Sequence, residues 1–193
     1  MTTGTVPAAG DITQAVHDAA RPVFREDSCI ACTRITIEVC AYFGVPARPQ
    51  PVKVAAWTAR AWELKDTALP PDQWPREAWS TGILTGEQPS RPGRWNGHLV
   101  AVTATDLIDP SLSQLSRPDR GLHLAAAAFT IPPGWQDGEQ ARITLGDGTV
   151  LVYIPVTNHG YRASPHWSRR SPTIRRVVGA AIRALTAELE PAS

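Results

Sequence analysis

Apolar residues recur along this chain with two different periods, and each change of period marks a new element. From Asp11 to about Ala20, Ile12, Ala15, Val16 and Ala19 return at helical spacing until Pro22 interrupts them. This predicts a short helix, capped by Asp11, within an N-terminal arm over residues 1–22. The run from Cys29 to Phe43 stops at Gly44, with Pro46 just beyond, and predicts a second helix capped by Asp27 or Ser28. At about 100° per residue Cys29, Cys32, Thr36, Val39, Cys40 and Phe43 share one face, while Arg34 and Glu38 pair four apart on another. Arg48 to Trp62 reads as a strand with some helical ambiguity, and residues 66–93, rich in Pro, Trp and Gly, read as a long ordered surface loop.

From Trp95 the period falls to two. His98, Val100 and Val102 alternate with Leu99, Ala101 and Thr103, a polar turn follows, and Leu107-Ile108-Asp109-Pro110 completes a β-hairpin candidate. A second hairpin is predicted from Ala141 to Val156, turning at Gly146-Asp147-Gly148. Ser171-Pro172 then opens a C-terminal helix over residues 172–190, whose Ile174, Val177, Val178, Ala181, Ile182 and Leu185 form one stripe. Two helices, a group of strands and a last helix favour an α+β fold, with the second helix packed on an antiparallel sheet and a C-terminal helix. A chain of 193 residues without internal repeats fits one domain, 1–193.

Charge changes this picture little: 19 basic and 18 acidic residues leave +1, so no global field selects nucleic acid or a membrane. The start of the chain has no basic head and apolar run of the signal-peptide kind, and no stretch approaches about 18 apolar residues. A cytoplasmic protein is expected. The three cysteines, Cys29, Cys32 and Cys40, are clustered and odd in number, unlike a disulfide framework.

The candidate chemistry begins with Cys29. A thiol attacks as the thiolate, which the free N–H groups and dipole of a helix's first turn stabilise. Such a nucleophile needs a base, and the base needs a group to orient it. His98 and Asp109 supply these if the hairpin turns at Thr103-Ala104, because Val102 then pairs with Thr105 and His98 stands opposite Asp109. A turn one residue later places Val100 opposite Asp109 and leaves His98 diagonal.

These residues resemble the transglutaminase-like cysteine enzymes, a branch of the papain-like fold. Three pieces carry the likeness in order: Cys29 fifteen residues before Gly44-Val45-Pro46-Ala47-Arg48, then Gly97-His98-Leu99-Val100, then Leu107-Ile108-Asp109-Pro110-Ser111. The resemblance covers roughly residues 25–115 and implies a Cys29, His98 and Asp109 triad. It also implies a thioester intermediate and hydrolase or transferase activity on a peptide, protein or small acyl substrate, without cofactor or metal. The family's usual Trp after the histidine region is absent, since Leu99 follows His98 and Trp95 precedes it. The Cys29 backbone N–H is one expected oxyanion donor, and Gln14, Gln50 and Trp57 are candidates for a second. Trp57, Trp95 and Asn96 are candidate substrate contacts.

Other readings compete with this one. Cys29-x-x-Cys32 has the spacing of a redox pair, but no strand precedes it as in a βαβ unit. No second ligand pair accompanies it for zinc. His159 and His166 are rival bases, and Cys40 reads as core. Trp62, Trp74, Trp79 and Trp95 line either a substrate cleft or the loop's own small core. The arginines from Arg162 to Arg183 read as a solvated face, or, in a catalytically silent binding module, as the docking surface for a nucleic acid or an acidic protein.

Overall fold

The computed structural model describes residues 6–24, 28–85 and 95–189. Its helices are α1 (Ala9–Ala20), α2 (Cys29–Tyr42), α3 (Ala59–Leu64), α4 (Pro165–Ser168) and α5 (Pro172–Leu189). Its strands are β1 (Arg48–Trp57), β2 (Ser80–Ile83), β3 (His98–Val102), β4 (Asp106–Asp109), β5 (Ala127–Thr130), β6 (Ala141–Thr144) and β7 (Val150–Pro155). All pairings are antiparallel, in the order β5-β4-β3-β1-β7-β6, and β2 continues the β3 edge of β1. The fold is therefore mixed α+β with an antiparallel sheet, as the periods imply.

β1 organises the sheet. Its first half, Arg48 to Val52, pairs with β3, its second half, Val54 to Trp57, pairs with β2, and β7 covers the opposite edge from Val52 onward. Two prolines fit because of where that coverage begins. The Pro51 carbonyl accepts from Val156 N–H at 3.0 Å, so the missing Pro51 N–H faces the same edge, just outside the β1–β7 ladder. Pro49, two residues earlier, has the same orientation by the strand period.

The two faces of the sheet bury different cores. Val52, Val54, Val100, Val102, Leu107, Leu151 and Tyr153 gather on one face, closed over by Trp135, whose indole N–H donates to the Tyr153 carbonyl at 3.2 Å. On the other face Ala101 and Ile108 meet α1, α2 and α5 through Ile12, Val16, Ile35, Val39, Ile174 and Val177. α1 packs on the core, with Ile12, Val16 and Ala20 buried. The α5 stripe matches its sequence pattern, and residue 190, its expected end, lies outside the described residues.

Local chemistry departs from expectation at several points. Asp11 sits inside α1, where its carboxylate accepts from Ala8 N–H at 3.3 Å, so it supports the helix start from the first turn without being the cap. Ser28 holds the cap position of α2 but its side chain makes no cap hydrogen bond, because it is taken by Gln114 Nε2, and Asp27 lies outside the described residues. The stretch 66–93 is not all loop: it contains a 3₁₀ turn at Pro71–Gln73 and β2, which finds its partner on β1, while residues 86–93 lie outside the described residues. The Gly146-Asp147-Gly148 turn forms as expected, with Gly148 at φ +82°, a conformation glycine adopts without penalty. No helix among the described residues is long and apolar enough to cross a membrane.

Arg34 does more than pair with Glu38 at 3.0 Å. Its Nη1 donates to the carbonyls of His166, Trp167 and Arg169 at 3.1, 3.0 and 2.7 Å, tying the end of α4 to the middle of α2. Arg34→Ala leaves these carbonyls without their cationic donor and is expected to cost about 2 kcal/mol, the scale of hydrogen bonds to a charged group. A fall in urea midpoint together with faster amide exchange at residues 166–169 checks this; unchanged exchange there contradicts it.

Candidate active site

The β3–β4 hairpin turns one residue later than its simplest reading. Thr103 N–H donates to Asp106 O at 2.9 Å, and the Thr103 hydroxyl accepts from Asp106 N–H, also at 2.9 Å, so Ala104 and Thr105 form the loop. Val102 therefore pairs with Leu107, and Asp109 is diagonal to His98 instead of opposite. Both side chains still lie on the same face, and the diagonal suits the long imidazole. His98 Nε2 donates to Asp109 Oδ2 at 2.6 Å with both side chains fully buried.

The carboxylate is satisfied from every side. Asp109 Oδ2 also accepts from the Tyr153 hydroxyl at 3.0 Å, and Oδ1 accepts from the Ser111 N–H at 3.1 Å and hydroxyl at 3.0 Å. Burial, then the Asp109 charge and the hydrogen bond, push the Tyr153 phenol well above its ordinary range, so it remains a donor. For His98, burial works toward a lower pKa, but the Asp109 charge, the Asp109 hydrogen bond and the Cys29 thiol outweigh it, and the pKa rises to about 10.

With Nε2 committed to Asp109, a neutral imidazole presents its lone pair on Nδ1. That nitrogen is buried and makes no hydrogen bond. Cys29, the first residue of α2, is 6% exposed and acts on the His98 ring electrostatically, while its Sγ–H donates to Gly97 O at 3.7 Å. The structure thus brings Cys29, His98 and Asp109 together from α2, β3 and β4.

The rival groups are placed elsewhere. Burial pushes the Cys32 thiol up to about 12, against a lowering hydrogen bond with Ser28, and pushes Cys40 up to about 11. His159 meets Tyr161 edge-on with ring centres 6.3 Å apart, and His166 meets Phe24 edge-on at 5.7 Å; neither pairs with a carboxylate among the described residues. His17 is structural, its Nδ1 donating to Pro110 O at 2.8 Å and fixing α1 to the turn after Asp109. Among the described residues no three His, Cys, Asp or Glu side chains gather as a metal cluster.

The expected substrate and oxyanion groups fare unevenly. Trp95 stands beside the thiol, in a packed cluster with Cys29, Ile30, Leu99, Tyr161 and Trp167, and its indole donates to Asn158 Oδ1 at 3.1 Å. Asn96 is exposed between Trp95 and Gly97. Trp57 does not reach the site: it lies five residues along β1 from Val52, the partner of His98, roughly 17 Å at about 3.3 Å per residue, and packs on Trp62 and Trp74. Gln14 is spent on Asp18 at the surface, and Gln50 Nε2 donates to the Pro51 and Val156 carbonyls at 3.0 and 3.1 Å. None of the three is free beside Cys29 as a second oxyanion donor.

Tyr153, Ser111, Thr85 and Tyr161 are site residues that sequence reasoning missed. Ser111 had a signal, because Asp-x-Ser favours a carboxylate accepting from the N–H two residues on. Tyr153 occupies an inward position of an alternating strand, which predicts burial but not its partner. Thr85 bridges the gap between β2 and β3, donating to Val52 O and accepting from His98 N–H at 3.3 Å. Behind the site a cavity of about 580 Å³ is lined by Ser28, Cys32, Ser111, Gln114, His17 and Arg21, among others.

Comparison with protein-family models, curated proteins and solved structures finds no match. The chemistry rests on the geometry alone.

Two measurements check this geometry. A Cβ on Gly97 would stand 2.5 Å from Trp95 Cζ2 and 2.8 Å from the Thr85 side chain, so Gly97→Ala must displace one of them. A loss of about 1–3 kcal/mol in denaturant is expected, the range for overpacking, and an unperturbed stability argues against the close contact. The raised His98 pKa also has a sign. The folded protein holds this proton more tightly than the unfolded chain, where the pKa is near 6.5, so the stabilisation is complete below about pH 6.5 and is lost toward about pH 10. Melting temperature is expected to fall across that window, and His98→Gln to flatten the slope; a wild-type profile that rises there contradicts the assignment.

Proposed function

We propose that this chain is a thiol-dependent acyl-transfer enzyme of the transglutaminase-like, papain-like type, acting as an amide hydrolase or a transferase. The observation that carries the reading is the buried His98–Asp109 pair, whose remaining ring nitrogen is unpartnered beside a thiol at the start of a helix. A silent scaffold gains nothing from burying such a pair next to a reactive side chain, since buried charge is costly unless fully compensated.

In this reading the Cys29 proton resides on His98 Nδ1, in keeping with the raised His98 pKa, and the resulting imidazolium, held by Asp109, pairs with the thiolate. The thiolate attacks a carbonyl carbon, its π electrons move to oxygen, and the tetrahedral intermediate collapses as His98 returns the proton to the departing amine, alcohol or thiol. Water or an amine then attacks the thioester, with His98 again accepting the proton, and releases the acyl group. Asp109 keeps its hydrogen bonds from Ser111 and Tyr153 throughout.

Selective alkylation tests the nucleophile. Iodoacetamide near neutral pH is expected to label Cys29 at least about 10-fold faster than Cys32 or Cys40, which burial keeps as thiols. His98→Ala is expected to remove most of that advantage. Equal rates at all three cysteines in the native protein would falsify the activated-thiolate reading.

A further inference from the structure

Cys32 is a thiol beside the site that the reaction above leaves unused. It follows Cys29 by a single turn of α2, which places the two Cα atoms about 5 Å apart on one side of the helix. Disulfides join Cα atoms about 4.4–6.8 Å apart, so the pair stands at bridging distance. Cys40 does not: it lies two further turns on, about 16 Å along the helix axis from Cys29.

The surroundings allow the first turn to close. Cys29 is the first residue of α2, where the backbone N–H has no intrahelical acceptor, and its Sγ–H makes a long contact with Gly97 O at 3.7 Å. The Cys32 thiol is hydrogen-bonded with Ser28 and lies within electrostatic reach of Cys29. Cys32 and Ser28 both line the cavity of about 580 Å³ behind the site, so space adjoins the Cys32 side chain as the turn tightens. The two thiols also differ in reactivity. An oxidant meets Cys29 first, because susceptibility follows thiolate character, whereas burial pushes Cys32 up to about 12 and keeps it a thiol one turn away.

We infer that Cys29 and Cys32 form a reversible disulfide on exposure to peroxide, which masks the nucleophile and spares it from deeper oxidation. The inference rests on the activated Cys29 of the acyl-transfer reading and adds to it a modification of the same site. The Cys29 thiolate attacks one oxygen of hydrogen peroxide, the O–O bond breaks, and the departing hydroxide leaves as water with the proton from His98. Sulfur is thereby oxidised by two electrons to the sulfenic acid, and the peroxide is reduced. The Cys32 sulfur then attacks the Cys29 sulfur, the S–O bond breaks, and the hydroxide carries off the Cys32 proton as a second water. A dithiol reductant restores both thiols by thiol–disulfide exchange.

The test uses the intact chain and hydrogen peroxide. Trypsin cuts after Arg25 and Arg34, so Cys29 and Cys32 fall in the peptide 26–34 and Cys40 in another. After peroxide, mass spectrometry is expected to find the 26–34 peptide unalkylated and short of two hydrogens. Cys29 alkylation by iodoacetamide is expected to slow at least about 10-fold and to return within about twofold after dithiothreitol. In Cys32→Ala the sulfenic acid has no thiol to capture it, so Cys29 is expected to proceed to the sulfinic acid, which dithiothreitol does not reverse. Should that variant fail to fold, the wild-type peptide decides by itself. Oxygen added at Cys29 with Cys32 still free, a bridge to Cys40, or a fast-alkylating Cys29 that peroxide leaves unchanged overturns this inference alone. Equal alkylation of all three cysteines before peroxide overturns the acyl-transfer reading, and this inference with it.

Discussion

The buried hydrogen bond from His98 to Asp109 is the constraint around which the rest of the molecule is arranged. Removing an imidazolium and a carboxylate from water costs several kcal/mol per ion unless geometry and additional donors offset it. Here the offset comes from three separate parts of the chain: Ser111 in the turn after β4, Tyr153 on β7, and β3 itself, which aims the ring. The sheet order follows from this need, since β1 must lie between β3 and β7 for His98, Val52 and Tyr153 to share a face.

Around that pair the packing is asymmetric in a useful way. On the inner face the polar group is sealed by Val52, Val54, Leu107 and Trp135, so Asp109 is shielded from competing water. On the helical face α2 brings its first residue to the start of β3, where Gly97 leaves room for the thiol and Thr85 bridges the break in the neighbouring strand. The result is one dry, rigid side that encloses the His98–Asp109 pair and one side where the Cys29 thiol meets an aromatic wall. The Arg34 staple fixes that wall from behind by holding the end of α4, which carries Trp167.

Cys32 shows how position decides a thiol's surroundings within one helix. It follows Cys29 by a single turn, yet lies against the core beside Ile35 and Val39, and its thiol is held protonated by burial. Cys29 differs in being the first helical residue, with the free N–H groups of the helix start and an imidazole beside it. The same residue type three positions apart is a candidate nucleophile in one place and core packing in the other.

Much of this was legible in the amino-acid sequence because it is encoded locally. Period fixed α2 and α5 as helices and β3 and β7 as strands, Gly44 and Pro46 marked the end of α2, and alternation put His98 on the same face as Val100 and Val102. Those signals depend on neighbours a few residues apart, and they survived folding. The register of the β3–β4 hairpin did not follow from pattern, because a one-residue shift of the turn was decided by the Thr103 hydroxyl, not by hydrophobicity. Only the tertiary structure brought Tyr153 to Asp109 across 44 positions and seated Tyr161 in the cluster around Cys29, and only it removed Trp57 and Gln50 from the site. The reason is physical: a side chain's period says which face it takes, whereas its partner depends on which strands and helices pack together. The sequence thus determined which residue types could form a thiol, imidazole and carboxylate array, and the packing of α2 against β3 and of β1 between β3 and β7 decided which groups surround it.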